Sequence, residues 1–242
     1  IPEEPLKAFA SKHQIKITTD SIKKEGDSGL RSGEEWKIKD LIDFSLVSSS
    51  NDGIYAVASA AESLDAESSA GNVASPVTAL EAQLSEEIGR KNFIDAMNKK
   101  AKEIGLRQTY YLNETGLDAS EEKNGGYGSA EDMTKLFSYI IKNKPEVLEA
   151  TAYDRINFTP IGGLNYTALN TNEIVREIPS LIASKTGFTD MAGGNLVVAF
   201  DSGLMRPIVI SVLGSTIDGR FEDVKKLVEA TMEYLSEEKN KN

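Results

Sequence analysis

Apolar residues recur every three or four positions along several stretches of the chain. This spacing is that of amphipathic helices, which turn one face to a core and the other to solvent. One stretch follows Ser129, which with the next three residues resembles a capping box at a helix start. The predicted helices lie at 36–47, 54–62, 93–104, 130–141 and 221–235.

The last third of the chain changes to strand-like patterns. Residues 181–188, 196–200 and 206–214 are rich in β-branched and aromatic residues, and the last two runs are joined as a tight hairpin would join them. Short strands are also predicted in 15–19 and at the start of 109–118. These elements predict an α+β fold, in which an antiparallel sheet is flanked by helices and accompanied by a helical lobe.

We expect one domain over residues 1–242, which is long enough to bury a substantial core. Its helical lobe should cover about 36–150, and its sheet-forming part about 151–242. Residues 63–87 are rich in Ala, Ser and Glu and carry few large apolar residues, so this segment is predicted to be a surface insertion.

Composition excludes several classes of function. The net charge is −11 and no basic patch is evident, so we expect no nucleic-acid partner. The chain has no cysteine and a single histidine, His13, which lies in a polar stretch. A thiolate or multi-histidine metal site is therefore ruled out, and we expect no metal and no cofactor. An enzyme of this composition would use a base other than imidazole.

Two polar motifs carry the candidate chemistry. The stretch LVSSSNDGIYAVASA (46–60) interrupts two apolar runs, and its small polar residues are typical of a turn between helices. The tripeptide Lys185-Thr186-Gly187 lies on a predicted strand, where it is also consistent with an edge strand that has a surface lysine and a glycine bulge. Each motif is weak by itself, but their order and context are informative together.

With Ser49-x-Asn51 at a helix break and Lys185-Thr186-Gly187 on a strand, the chain resembles the serine D-alanyl-D-alanine carboxypeptidases, the low-molecular-mass penicillin-binding proteins. The resemblance covers about residues 15–235 and implies a β-lactamase/transpeptidase-like fold. The stretches that carry it are 25–42, 48–58, 97–106, 113–118, 127–136, 171–175 and 184–198.

The resemblance implies acyl transfer, in which a serine attacks the carbonyl between two D-alanines and a nearby lysine is the base. It assigns Ser49 to moving a proton toward the leaving amine. Asn51 would donate its side-chain amide to a substrate carbonyl. Lys185 would supply the positive field that keeps the other lysine neutral, and would help to anchor the substrate carboxylate.

Substrate binding falls, by the same resemblance, to the residues after Lys185. Thr186 would donate a hydrogen bond to the carboxylate, and Gly187 would leave room for an extended substrate beside the strand. The backbone N–H of Phe188 would form half of an oxyanion hole. Arg206 could face the carboxylate from behind, although a surface arginine at a strand start is equally consistent with its position.

The family's nucleophilic Ser-x-x-Lys helix has no counterpart at the expected place, ahead of the segment that matches 15–45. The pattern occurs at Ser21–Lys24, Ser120–Lys123 and Ser236–Lys239, but none precedes the apolar helix that a buried catalytic pair needs. We therefore expect a partial catalytic domain without its first strand and nucleophile helix. It is either a cleaved or split product docked on its own N-terminal fragment, which would supply the nucleophile, or a truncated sequence.

The function implied is a serine-type D-Ala-D-Ala carboxypeptidase, without a cofactor, that acts on peptidoglycan stem peptides in the cell envelope, outside the cytoplasm. β-Lactams would bind in the same cleft. Two alternatives remain open: a non-catalytic binding protein of the cell envelope that keeps the cleft, and a β-lactamase or esterase on the same scaffold.

Overall fold

The computed structural model describes residues 13–26, 28–61, 78–203 and 205–240. Short 3₁₀ turns at Ser21–Lys23, Pro145–Val147 and Glu149–Ala152 connect some of the longer elements. The helices are α1 (Ile38–Ser48), α2 (Asn51–Ser59), α3 (Ala79–Glu103), α4 (Ala130–Asn143) and α5 (Gly219–Asn240). The strands are β1 (Gln14–Lys16), β2 (Glu35–Lys37), β3 (Tyr110–Tyr111), β4 (Gly126–Tyr127), β5 (Arg155–Phe158), β6 (Tyr166–Leu169), β7 (Leu181–Thr189), β8 (Gly193–Asp201) and β9 (Pro207–Ser215).

An aromatic cluster around Trp36 forms the centre of the helical part. The Trp36 side chain is fully buried, and its ring centroid lies 5.3 Å from that of Phe44 on α1 and 5.3 Å from that of Tyr166 on β6. Phe158 on β5 completes the group at 6.2 Å from Trp36. The β5–β6 hairpin, which was not predicted, thus packs against α1, the helix that ends beside Ser49.

The main sheet has the strand order β7-β8-β9, with both pairs antiparallel. Side chains of β8 alternate between its two faces, as the pleat of a strand requires. Leu196, Val198 and Phe200 pack against α5, while Val197 and Ala199 join the cluster that contains Phe137 of α4. Helices therefore cover both faces of the sheet, and the α+β expectation agrees with the structure.

Sequence patterns located most elements and missed some boundaries. The first predicted helix begins at Ile38 and not at residue 36, because Glu35–Lys37 pairs with β1. Helix α3 begins at Ala79 behind a capping box formed by Thr78 and Glu81. Residues 79–87 of the predicted insertion therefore belong to this helix, whereas most of its earlier part lies outside the described residues. The proposed division into a helical lobe and a sheet-forming part stays a prediction.

Replacing Trp36 by alanine should lower the free energy of unfolding by about 3–5 kcal/mol, because it leaves a cavity among the aromatic rings. Tyr153→Ala is the matched control: that ring is 55% exposed, and its loss should change stability by about 0.5 kcal/mol or less. Chemical denaturation measures both variants. A loss below about 1 kcal/mol for Trp36→Ala would contradict this description of the core.

Candidate active site

The polar break between the first two long helices is a tight turn centred on Ser49. Helix α1 ends at Ser48, and Ser49 adopts the left-handed conformation, with φ 55° and ψ 43°. The next residue, Ser50, caps α2 by accepting a hydrogen bond from the backbone N–H of Gly53 at 3.0 Å. The turn interpretation is thus correct, and the turn leaves Ser49 exposed.

Close packing of α2 on α1 fixes this turn. A Cβ atom on Gly53 would lie 2.1 Å from the hydroxyl oxygen of Ser45, so only glycine fits at this position without a rearrangement. The Ser45 hydroxyl is itself held, since it donates a 2.6 Å hydrogen bond to the carbonyl of Leu41. The two residues therefore hold the start of α2, and with it Asn51, at a set distance from α1.

A hydrogen bond joins this turn to the sheet. The Nζ of Lys185 on β7 donates to Ser49 Oγ at 2.7 Å and to the backbone carbonyl of Thr186 at 2.8 Å. The two motifs found in the sequence, which are 136 positions apart, are thus in direct contact.

Burial, and then the positive charge of Arg220, lower the pKa of Lys185 from its usual 10.5 to about 8. Arg220, at the start of α5, is 8% exposed and donates from Nη1 to the carbonyl of Gly187 at 2.9 Å. Its Nε is buried without a hydrogen-bond partner. Arg220 is thus a second cationic group beside this part of β7, and the sequence analysis did not single it out.

Arg206 lies elsewhere. It precedes β9 at the hairpin that connects β8 to β9, beside the Asp201–Pro207 pair, whereas Lys185 is opposite Val197 further along the sheet. Its backbone N–H donates to Asp201, and its side chain is exposed. Because the hairpin and the cleft are at different ends of the strands, the structure does not bring Arg206 to the cleft.

A cleft of ≈ 250 Å³ opens between the turn, the strand and a loop. Its lining includes the predicted residues Ser49, Asn51, Lys185, Thr186, Gly187 and Phe188. Six of the seven candidate positions are thus brought together around one cavity, which is the concave arrangement expected of a ligand site.

The individual groups differ in how free they are to meet a ligand. Asn51 already donates from Nδ2 to the Glu25 carbonyl at 2.7 Å, which holds its amide in place. The hydroxyl of the buried Thr186 lies 2.5 Å from that of the half-buried Thr171. The outer edge of β7 is covered at Ser184, whose backbone N–H donates to Thr151 Oγ1. Residues 185–189, which follow it on β7, line the cleft.

The loop that forms the third wall was quoted for the resemblance but received no predicted role. It contributes Thr115, Gly116 and Leu117 to the lining. Asn113 shapes it, because its Oδ1 accepts from the Gly116 N–H at 2.7 Å and its Nδ2 donates to the Leu117 carbonyl at 2.8 Å. The Thr189 hydroxyl ties the loop to the end of β7 by donating to Asp118 at 3.0 Å.

The three Ser-x-x-Lys patterns lie outside the lining of this cleft. Ser21 is buried in a 3₁₀ turn, with its hydroxyl 2.9 Å from that of Thr18. Ser120 pairs with Lys123 across an exposed turn. Ser236 is exposed near the end of α5 and bonds to the Glu233 carbonyl. His13, just ahead of β1, does not line the cleft either.

Comparison with known sequences assigns this chain to a family. A sequence profile of the D-alanyl-D-alanine carboxypeptidases (peptidase S11) matches residues 82–216, more than half of the chain. D-alanyl-D-alanine carboxypeptidase DacF of Bacillus subtilis (strain 168) is 28% identical over 200 residues, which cover 83% of this chain and 44% of that protein. DacA of Escherichia coli (strain K12) is 32% identical over 136 residues, covering 56% of this chain and 32% of that protein. The chain spans less than half the length of either relative.

Solved structures show the same fold. A mutant DD-transpeptidase of Streptomyces superimposes with a TM-score of 0.70 at 21% identity, covering 89% of this chain and 78% of that one. Penicillin-binding protein D2 of Listeria monocytogenes, in its ampicillin-bound form, superimposes with a TM-score of 0.64 at 24% identity, covering 90% of this chain and 75% of that one. The fold is therefore that of the penicillin-binding proteins and DD-transpeptidases. With the profile match, the chain belongs to the D-alanyl-D-alanine carboxypeptidase family, as the sequence motifs predicted.

Replacing Arg220 by glutamine should raise the pKa of Lys185 from about 8 toward 10.5, because a nearby positive charge no longer disfavours the ammonium form. NMR titration of the lysine side chain measures this pKa. Arg206→Gln is the control and should leave it unchanged. A pKa near 10.5 in the unaltered protein, or no response to Arg220→Gln, would contradict the electrostatic description.

Proposed function

We propose that this chain forms the substrate-binding part of a serine-type D-Ala-D-Ala carboxypeptidase that acts on peptidoglycan stem peptides in the cell envelope, outside the cytoplasm. The observation that carries the proposal is the contact between Lys185 and Ser49 in a cleft next to Thr186. This set of groups fits a peptide that ends in a free carboxylate, because hydroxyl and ammonium donors converge beside one strand.

The carboxylate of the terminal D-alanine would lie against the Thr186 hydroxyl and the Lys185 ammonium. Arg220 adds positive potential from behind Gly187 without entering the lining. Charge-assisted hydrogen bonds of this kind are roughly twice as strong as those between neutral groups. They would select a C-terminal residue over an internal one.

The rest of the peptide would extend along β7 past Gly187. A Cβ atom on Gly187 would come no closer than 3.7 Å to Asn195, so packing within the sheet does not require a glycine here. The absence of a side chain at Gly187 would instead leave room for the peptide in the cleft. The peptide would add as a strand, with the Asn51 amide donating to one of its carbonyls. The Phe188 N–H would contribute half of the oxyanion hole.

The nucleophilic serine would come from the protein's own N-terminal fragment. Among the described residues, β9 pairs with β8 on one side and with no strand on the other. An edge of nine residues offers backbone donors and acceptors to a further strand. Leu213 on β9 and Leu227 on α5 are 37% and 45% exposed, which adds apolar surface for such a segment.

β-Lactams would bind in the same cleft, since their carboxylate can use the same donors. The ampicillin-bound form of the Listeria relative supports this part of the proposal. A non-catalytic binding protein is the second candidate. It is favoured by one observation: none of the three Ser-x-x-Lys serines lines the cleft.

Thr186→Val should weaken binding of an acylated peptide ending in D-Ala-D-Ala by about tenfold, because it removes a hydrogen bond to a charged group at nearly constant volume. Lys185→Ala should weaken it at least as much. Titration calorimetry measures the dissociation constants, and Arg206→Gln is the control with unchanged affinity. Equal affinity in all four proteins would contradict the proposed carboxylate site.

Incubation with a penicillin should leave the mass of the purified 242-residue chain unchanged. Adding an N-terminal fragment that carries a Ser-x-x-Lys helix should then produce a penicilloyl adduct on the fragment, together with release of D-alanine from the peptide. Intact-mass spectrometry distinguishes the outcomes. An adduct on the chain itself would show that one of its internal serines is the nucleophile. Peptide binding without adduct or D-alanine release would favour the non-catalytic candidate.

A further inference from the structure

Arg90, in the middle of α3, contacts residues behind two walls of the cleft. Its Nε donates to Glu114 Oε1 at 2.9 Å and its Nη2 to Oε2 at 3.2 Å, which makes a bidentate ion pair. Its guanidinium carbon also lies 4.3 Å from the ring centroid of Tyr55 on α2, within the range of a cation–π contact. One side chain thus touches a loop residue and a helix residue that are 59 positions apart.

Glu114 connects Arg90 to the loop wall. It directly precedes Thr115, Gly116 and Leu117, which line the cleft. The Glu114 side chain is only 1% exposed, so its charge is out of water and depends on the guanidinium for compensation. Movement of this loop away from Arg90 would leave a buried carboxylate without its cation, which makes the present loop position strongly favoured.

Tyr55 connects Arg90 to the wall that carries Asn51. It lies one helical turn after Asn51 on α2 and is 6% exposed. A second cation, the Lys24 ammonium, lies 4.1 Å from the centroid of the same ring. Lys24 precedes Glu25, whose carbonyl accepts the hydrogen bond from the Asn51 side chain. The contacts around Tyr55 therefore reach the group that orients the Asn51 amide.

We infer that Arg90 is a positioning residue, which sets the separation between the Asn51 wall and the Thr115–Leu117 wall of the cleft. Neither Arg90 nor Glu114 lines the cleft, so both act through the residues that do. The consequence for ligand binding rests on the proposed function, whereas the geometric claim concerns the free protein and can be tested without a ligand.

The first test uses NMR on the free protein. Arg90→Gln should raise the hydrogen-exchange rates of the Gly116 and Leu117 amides about tenfold, as expected for the loss of a charged hydrogen-bond pair. It should also shift the signals of the Asn51 side-chain amide. Glu114→Gln should affect the loop amides alone, because the contact between Arg90 and Tyr55 remains.

Lys91→Gln is the matched control on the same helix, since Lys91 pairs with Asp95 in an exposed ion pair. Lys91→Gln should change neither the exchange rates of the Gly116 and Leu117 amides nor the signals of the Asn51 side-chain amide. If Arg90→Gln does not fold, Arg90→Lys is measured in its place. Lysine keeps a cation near Tyr55 but cannot bind Glu114 in bidentate fashion. Arg90→Lys should therefore raise the exchange rates of the loop amides and leave the Asn51 signals unchanged. The proposal is overturned if the folded Arg90 variant changes neither wall, or if Lys91→Gln changes both.

The second test measures affinity for an acylated D-Ala-D-Ala peptide in a double-mutant cycle. Glu114→Gln should raise the dissociation constant about tenfold and Arg90→Gln at least as much, since it also disturbs the Asn51 wall. The double variant should bind no worse than Arg90→Gln alone, because both changes break the same pair. If the increase in the dissociation constant of the double variant equals the product of the two single increases, Arg90 does not act through Glu114. If the unaltered chain does not bind the peptide, the proposed function fails, while the exchange rates still decide the role of Arg90.

Discussion

The hydrogen bond between the Lys185 ammonium and the Ser49 hydroxyl holds the cleft together. It joins a turn between two helices to a strand of the main sheet. Formation of this bond requires that the lysine give up water beside a second cation, Arg220, and the lowered pKa of Lys185 reflects that cost. The packing of the helices and of the sheet keeps Lys185 Nζ and Ser49 Oγ at their distance of 2.7 Å.

Rigid packing on both sides provides that support. On the helical side, the buried Trp36 cluster holds α1, and the absence of a side chain at Gly53 lets α2 start against it. On the sheet side, β8 is buried on both faces between α4 and α5, so β7 is supported by a strand that cannot easily move. The loop that contains Thr115, Gly116 and Leu117 forms the third wall of the cleft. Asn113 shapes this loop, and the hydrogen bond between Asp118 and Thr189 connects it to β7. A site of this kind is largely formed before any ligand arrives.

The sequence predicted the features that repeat locally or match a motif. Helical spacing located most of α4 and α5, and the β-rich runs located β7, β8 and β9. The motif pair correctly brought Ser49 and Lys185 into one cleft. Long-range contacts were missed, because no local pattern encodes them: Arg220 was overlooked in favour of Arg206, and the pairing of Arg90 with Glu114 has no signal in either stretch. The start of α3 was missed because residues 79–87 were assigned by their Ala, Ser and Glu content, although Leu80 and Leu84 recur at helical spacing. Both leucines are exposed in the structure.

The most direct test of the account compares two peptides that differ only at the C-terminus, one ending in D-Ala-D-Ala with a free carboxylate and one with the corresponding amide. The account predicts that the unaltered chain binds the free acid at least about tenfold more tightly, because Thr186 and Lys185 would then donate to a charged group. Equal affinities for the two peptides, or preference for the amide, would contradict the central claim that this cleft recognises a terminal carboxylate.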